Sequence, residues 1–424
     1  MKRTLVAAFC VILSSAVQAQ TWSCGESHKA NAQVLSTATL ATADRSGFDF
    51  GMAPEQIDAS GCSSSHSFFF SAPEREGNYL VTVVLGGPEA AVTTVKAEAR
   101  RLMLLNVATK AGEHRTERFV VNVRQPAIGA DKVVKRKPRE MNSLDWDSKL
   151  TLEFSGQHPS VHTIRIEPAP VNTPTVYLAG DSTVVDQDKE PWAAWGQMLP
   201  VFFNDKVAIA NHAESGETIG SFEGEQRFAK IFSLIKPGDY LFMQFAHNDQ
   251  KPGRGYVSPE RYTELLRKYI DLARQKHATP VLVTSMNRRT FDSEGHITDT
   301  LAPYPETMRK VAAEQHVALI DLNSMSRALY EAIGEPHSRE LFVYAAANTY
   351  PGQTEALHDD THFNNFGAYE LAKCVVDGIE RDKLPLAKML RKPIVHFNPA
   401  HPDPLSAITI PPSPFTQEEK PYER

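Results

Sequence analysis

Four short polar stretches carry side chains able to do chemistry together: Gly180-Asp181-Ser182-Thr183, Asn211-His212-Ala213-Glu214-Ser215-Gly216, Ala246-His247-Asn248-Asp249 and His358-Asp359-Asp360-Thr361-His362. A serine hydroxyl attacks a carbonyl carbon only when a base takes its proton, and a histidine oriented by a carboxylate is such a base. Ser182 and His362 supply that pair, and Asp359, three residues before His362, is placed to reach the other imidazole nitrogen. Attack creates an oxyanion, which requires preorganised donors. The backbone amides of Ser182 and Gly216 and the side-chain amide of Asn248 suit that role, and glycine at 216 leaves room for a substrate oxygen. Taken singly these pieces are ordinary: an N-cap after a strand, a loop glycine, a polar turn. His358 and His362 stand four apart, as in a helical metal pair, but Asp359, Asp360, Asn364 and Asn365 predict a loop there, so neither metal nor organic cofactor is expected.

The elements that must position these groups change character along the chain. From 67 to 167 the apolar runs are short and strand-like, namely SFFFSA, YLVTVVLGG, RLMLLNV, RFVVNV, LTLEF and HTIRIE, which predicts an all-β sandwich over 20–168. The basic stretch DKVVKRKPRE, 131–140, reads as a solvated loop between strands. PAPVNTP, 168–174, is a linker, since three prolines suit neither a helix nor a central strand. Beyond it the strands TVYLA, VAIAN, YLFMQF, TPVLVTS and VALIDL alternate with helical stretches, which predicts a five-stranded parallel α/β sheet over 174–392. Within 260–277, Tyr262, Leu265, Leu266, Tyr269, Ile270 and Ala273 share one helical face, and a second helix is expected over 366–379. In such sheets ligands bind above the carboxyl ends of the strands, which makes the polar stretches neighbours, joined by Ser285-Met286-Asn287-Arg288-Arg289 after the fourth strand. The last 32 residues, 393–424, hold eight prolines and read as a tail, wrapped on the surface or loose.

Residues 1–19 have a basic start, a short apolar stretch and Val17-Gln18-Ala19, the pattern of a cleaved export signal, so a periplasmic or extracellular location is expected. No later apolar run approaches the ~18 residues of a membrane span, so no membrane insertion is expected after signal removal. A net charge of −6 offers no broad basic surface for nucleic acid. Cleavage removes Cys10 and leaves Cys24, Cys62 and Cys374; a Cys24–Cys62 bridge is expected, with Cys374 in a helix core.

The order of the four motifs resembles the SGNH or GDSL hydrolase family, and within it the rhamnogalacturonan acetylesterase group, through GDST, NHAESGETIGSF, FAHNDQK, Tyr304-Pro305-Glu306 and DDTHFNNFGAYELAKCVV, over roughly 174–384. The resemblance implies a three-layer, flavodoxin-like domain and a secreted carbohydrate O-acetylesterase acting on acetylated oligo- or polysaccharide through an acetyl-enzyme. It implies Ser182, Asp359 and His362 as catalytic residues and Ser182, Gly216 and Asn248 as the oxyanion hole. Trp192, His247, Arg288 and Tyr304 are assigned to substrate binding, with Trp195 and Arg289 as further cleft residues. The β-rich half resembles a galactose-binding-like sandwich, and its removal is expected to spare hydrolysis of a small ester. Fungal members carry two arginines where this chain has Gly216-Glu217-Thr218-Ile219-Gly220, which weakens the case for an acidic sugar. Xylan or other oligosaccharides, acyl transfer instead of hydrolysis, and a glycan-binding protein with an inactive esterase domain are the alternative functions.

Overall fold

The computed structural model describes residues 19–25, 32–393 and 396–416; the expected leader, apart from its last residue, lies outside them. Strand formation in the first half follows a period of two. In Gly77–Leu85, Val81, Val83 and Leu85 are fully buried while Thr82 and Val84 are partly exposed. Two sheets result. One runs in space as 115–123, 77–85, 160–168, 20–24 and 33–35, with 56–58 and 61–63 attached; the other runs 47–48, 68–73, 149–157, 91–97 and 101–109. Phe68, Phe70, Leu152 and Phe154 of the second pack against Val81, Val83, Phe119, Val121 and Ile164 of the first, so this half is the expected sandwich. Cys24 and Cys62 are bridged, joining two strands of one sheet, and Cys374 is buried in its helix.

Strand Ala91–Ala97 is not evident in the sequence, because Thr93, Thr94 and Lys96 interrupt its apolar run. Those side chains are nonetheless buried. Lys96 pairs with Glu153 at 3.0 Å and donates to the Pro411 carbonyl at 2.8 Å, under the C-terminal tail. The tail is therefore wrapped over 396–416. The Ser413 amide donates to Glu190, and the Phe415 ring packs on Phe50 and Phe69.

The second half is the predicted α/β layer structure. Strands Thr175–Gly180, Ala208–Asn211, Tyr240–Gln244, Thr279–Val283 and Ala318–Ile320 are all parallel, in the spatial order second, first, third, fourth, fifth. Alternate residues face opposite layers. Tyr177, Ala179, Leu241 and Met243 meet helices Ile219–Gly224, Arg227–Leu234, Pro259–Gln275 and Tyr304–Gln315. Val176, Leu178, Phe242 and Val283 meet Trp195–Met198, Leu322–Ile333 and Asn365–Arg381. Helix Pro259–Gln275 starts where Ser258 caps the Arg261 amide, and it buries the six residues read from the sequence. The strand order reverses beside the first strand, so a crevice for ligands is expected above its carboxyl end and that of the third.

The two halves are joined by more than the linker. Arg101, fully buried, donates to Asp186 of the α/β half at 2.9 Å and to Asp145 of its own half at 3.0 Å; Arg100 pairs with Glu190, Lys230 with Glu76, and Arg227 with Glu140, each at 2.5 Å. Removing one partner of such a buried pair typically costs ~3–5 kcal/mol, because the other charge is stranded. These pairs weigh against the expectation that removal of the sandwich spares hydrolysis, since its loss would strand several charges of the α/β half. The basic stretch 131–140 keeps Asp131, Lys132, Val133, Lys135, Pro138 and Arg139 exposed, as a solvated loop should, but it is also anchored to the other half. Val134 is buried, the Lys135 amide donates to the Glu225 carbonyl, and Glu140 accepts from Arg227, from the Trp146 indole and from the Lys137 amide. Two of its cations, Lys137 and Arg139, pair with Glu217 and Glu214 of the other half.

Candidate active site

The first parallel strand ends at Gly180, where an added Cβ would lie 2.5 Å from the Val184 side chain, so the chain turns sharply there. Asp181 accepts hydrogen bonds from the Thr183 amide at 2.9 Å and its hydroxyl at 2.7 Å, closing the turn, and no helix begins until Trp195. The N-cap reading of this motif is therefore excluded, and Ser182 is left to other work. Gln187 donates to the Ser182 carbonyl at 2.9 Å, and Gln244 donates to the Thr183 hydroxyl at 2.7 Å while accepting from the Trp195 indole at 2.8 Å. Trp195 thus braces the turn from the core instead of lining a cleft.

His362 stands on strand Leu357–Phe363, which pairs antiparallel with Phe342–Ala345, where the sequence suggested a loop. The ladder is broken by a bulge: Phe342 faces Phe363, but the next residue, Val343, faces Asp359. Residues 360–362 are extruded, and the extrusion turns His362 back onto Asp359. His362 Nδ1 lies 2.8 Å from Asp359 Oδ2, and His362 Nε2 lies 2.8 Å from Ser182 Oγ. Asp359 Oδ1 accepts from the amides of Thr361 and His362, and the Trp192 indole approaches Oδ2 at 3.4 Å. A carboxylate on Nδ1 selects the tautomer with its proton there, leaving Nε2 free to accept from the serine. Arg289 and the Tyr344 hydroxyl both bond Asp360 and hold the bulge.

On the opposite side, Gly216 has φ +77°, which explains the glycine by backbone conformation more directly than by space for substrate. Among the described residues neither the Ser182 nor the Gly216 amide has an acceptor within the protein. Asn248 Nδ2 donates to the Glu217 carbonyl at 3.1 Å, and its Oδ1 accepts from Lys251. The Glu214 amide donates to the Gly180 carbonyl, tying this loop to the serine turn. Asp249 accepts from the Ile219 amide, with burial pushing its carboxyl well above the usual range.

The residues assigned to substrate binding fare differently. Trp192 and Tyr304 are 1% and 2% exposed, so neither offers a face to a ligand; Trp192 supports Asp359, and the Tyr304 hydroxyl donates to the Val257 carbonyl at 2.6 Å. His247 is buried with Nε2 2.9 Å from the Met286 carbonyl, and burial holds its pKa well below the usual imidazole value. Arg288 remains partly exposed, bonding the His247 carbonyl and Thr300. Arg289 belongs to the bulge.

Two cations from the sandwich half were missed. Lys137 pairs with Glu217 and donates to the Ser215 carbonyl at 2.6 Å; Arg139 pairs with Glu214 and donates to the same carbonyl at 2.6 Å. The signal was present as KRKPRE facing Glu214 and Glu217 in HAESGETIGSFEGE, but charge complementarity across about 75 residues has no local pattern to announce it. Beside this contact lies a cavity of about 560 Å³ between the halves, lined by Phe50, Phe69, Arg139, Gln187, Ser215 and Phe415 among others. No cluster of three or more His, Cys, Asp or Glu side chains suited to a metal occurs among the described residues, and no helix among them is long and apolar enough to cross a membrane.

The model of the GDSL-like lipase/acylhydrolase family matches residues 178–368. Rhamnogalacturonan acetylesterase RhgT of Bacillus subtilis is 45% identical over 213 residues, 50% of this chain and 91% of that protein. The probable rhamnogalacturonan acetylesterase YesY of the same organism is 36% identical over 225 residues, 51% of this chain and 97% of that one. The uncharacterized esterase YxiM, also from Bacillus subtilis, is 28% identical over 331 residues, 77% of each chain, a span that reaches into the sandwich half.

Proposed function

The chain belongs to the GDSL-like lipase/acylhydrolase family, and on that premise we propose that this serine ester hydrolase removes acetyl groups from a plant cell-wall polysaccharide such as rhamnogalacturonan. The observation that carries the mechanism is the unbroken row Asp359–His362–Ser182, with 2.8 Å at each step. Ser182 Oγ bonds to the acetyl carbonyl carbon as its proton passes to His362 Nε2, and Asp359 stabilises the imidazolium. The carbonyl oxygen becomes an oxyanion facing the amides of Ser182 and Gly216 and the Asn248 side chain. His362 then protonates the sugar oxygen as the bond from acetyl carbon to sugar breaks, leaving acetyl-Ser182. Water, deprotonated by His362, attacks that ester; the bond from acetyl carbon to Ser182 Oγ breaks, His362 returns the proton to Oγ, and acetate leaves. No step calls on a metal or organic cofactor.

The polysaccharide class is supported by the two Bacillus acetylesterases, each matched over more than nine-tenths of its length. Export to the periplasm or medium is supported by the Cys24–Cys62 bridge, which persists in oxidising compartments. The test is acetate release from acetylated rhamnogalacturonan, xylan, mannan and simple sugar acetates, with and without an acceptor sugar. Rhamnogalacturonan should lead the panel, and Ser182→Ala should lower its deacetylation by ~10⁴-fold or more. A folded Ser182→Ala protein with undiminished release would end the serine mechanism. Preference for another glycan would move the substrate, and acetyl transfer to the acceptor would replace hydrolysis.

A further inference from the structure

We infer that the sandwich half is a working part of the esterase: Lys137 and Arg139 aim and polarise the Gly216 amide that receives the oxyanion. The inference rests on the oxyanion role given to Gly216 above, and it begins from one peptide unit. The Ser215 carbonyl and the Gly216 N–H belong to the same planar, trans peptide group, so they point in opposite directions and turn together. Two cations grip the carbonyl end, Lys137 Nζ and Arg139 Nη2, each at 2.6 Å. Holding that oxygen fixes the bearing of the amide hydrogen on the other side. Drawing electron density toward the oxygen also makes the hydrogen a stronger donor, as in any chain of cooperative hydrogen bonds.

The flanking residues reinforce the grip. Glu214 pairs with Arg139 and Glu217 with Lys137, so salt links from the other half embrace Gly216 from both sides. Glu217 in turn accepts from the Asn248 side chain through its carbonyl, which extends the hold to a second oxyanion donor. This matters because glycine at φ +77° has no side chain to lock its own backbone. The cations are themselves steadied, since Glu140 binds the Lys137 amide, the Trp146 indole and Arg227 of the α/β half. Lys137 and Arg139 are positioning residues that need not touch the substrate.

The test uses the full chain. Lys137→Met and Arg139→Met, singly and together, are assayed on p-nitrophenyl acetate for kcat and KM, and for the rate at which a p-nitrophenyl alkylphosphonate labels Ser182, since its phosphoryl oxygen would occupy the same hole. Misaiming one donor should lower kcat about ten- to a hundred-fold with KM within about two-fold, and slow labelling in parallel. Lys137→Arg and Arg139→Lys, which keep a cationic donor, should restore most of the rate. A folded variant whose kcat stays within about two-fold of the parent overturns the inference, as does a loss confined to KM. If the Met variants lack a cooperative unfolding transition, Lys137→Gln and Arg139→Gln are judged by the same criterion. Ser182→Ala separates the two levels: an inactive Ser182→Ala beside fully active clamp variants refutes the clamp alone, while an active Ser182→Ala refutes the esterase mechanism itself.

Discussion

On the proton-transfer side of the site, base and orienting carboxylate lie three residues apart on one bulged strand, and the serine meets them from a turn closed by its own neighbours. On the proposed oxyanion side, the Ser182 amide is joined by donors on two further loops, after the second and third parallel strands, and the supports of Gly216 come from a different half of the molecule, some 75 residues earlier. The first side is preorganised by short-range geometry that a few residues dictate. The second depends on the two halves being docked. One reaction thus draws on a proton path assembled within the α/β half and an electrostatic one assembled across both halves, and the two should respond differently to perturbation.

The largest contrast is expected from Asp359→Asn. An amide at this position can donate to Nδ1, favouring the tautomer that leaves Nε2 protonated and unable to accept from Ser182. A drop in kcat of ~10⁴-fold, with the fold retained by circular dichroism, is expected; a loss of under ten-fold would show that the carboxylate does not govern the tautomer. Next comes Asn248→Ala, which deletes one donor and should lower kcat by ~10²–10³-fold with little change in KM. A change in KM alone would assign Asn248 to ground-state binding and remove it from the comparison.

The smallest effect concerns the docking itself. His212 is fully buried between Tyr177 of the first parallel strand and Trp146 of the sandwich half, and burial followed by the Arg124 charge holds its pKa well below 6.5. The unfolded chain binds a proton near pH 6.5 and the folded chain does not, so stability is full above that pH. It falls as the pH drops below it, by ~1.4 kcal/mol per unit until the folded-state pKa is reached. His212→Phe should remove this contribution, and unfolding free energies from urea titrations at pH 7 and pH 5 should show the parent losing more stability than the variant. Equal losses would mean that His212 titrates normally.

What was legible in the sequence follows the same division. Alternating apolar strands and helical faces disclosed the parallel sheet, and the buried face of Pro259–Gln275 matches residue for residue, because periodicity is a local property. Ser182, Asp359, His362, Gly216 and Asn248 could be picked out because polar motifs follow predictable strand ends. Strand Ala91–Ala97 was obscured by threonines and a lysine whose burial depends on a tail 315 residues away. Trp192 and Tyr304 were read by their chemistry, as sugar platforms, but a sequence does not say which side of a wall a ring occupies. The run at 131–140 is largely exposed, and the anchoring of Lys137 and Arg139 stayed hidden because their carboxylate partners lie in the other half.

The tail described above changes how the halves are connected. The chain leaves the sandwich once, at 168–174, and comes back to it between 396 and 416, where Glu190 holds the Ser413 amide and Phe415 settles against Phe50 and Phe69. Two separated attachments leave the halves less freedom to swing apart than one flexible linker would. The cavity between the halves therefore has walls fastened from both ends of the α/β half.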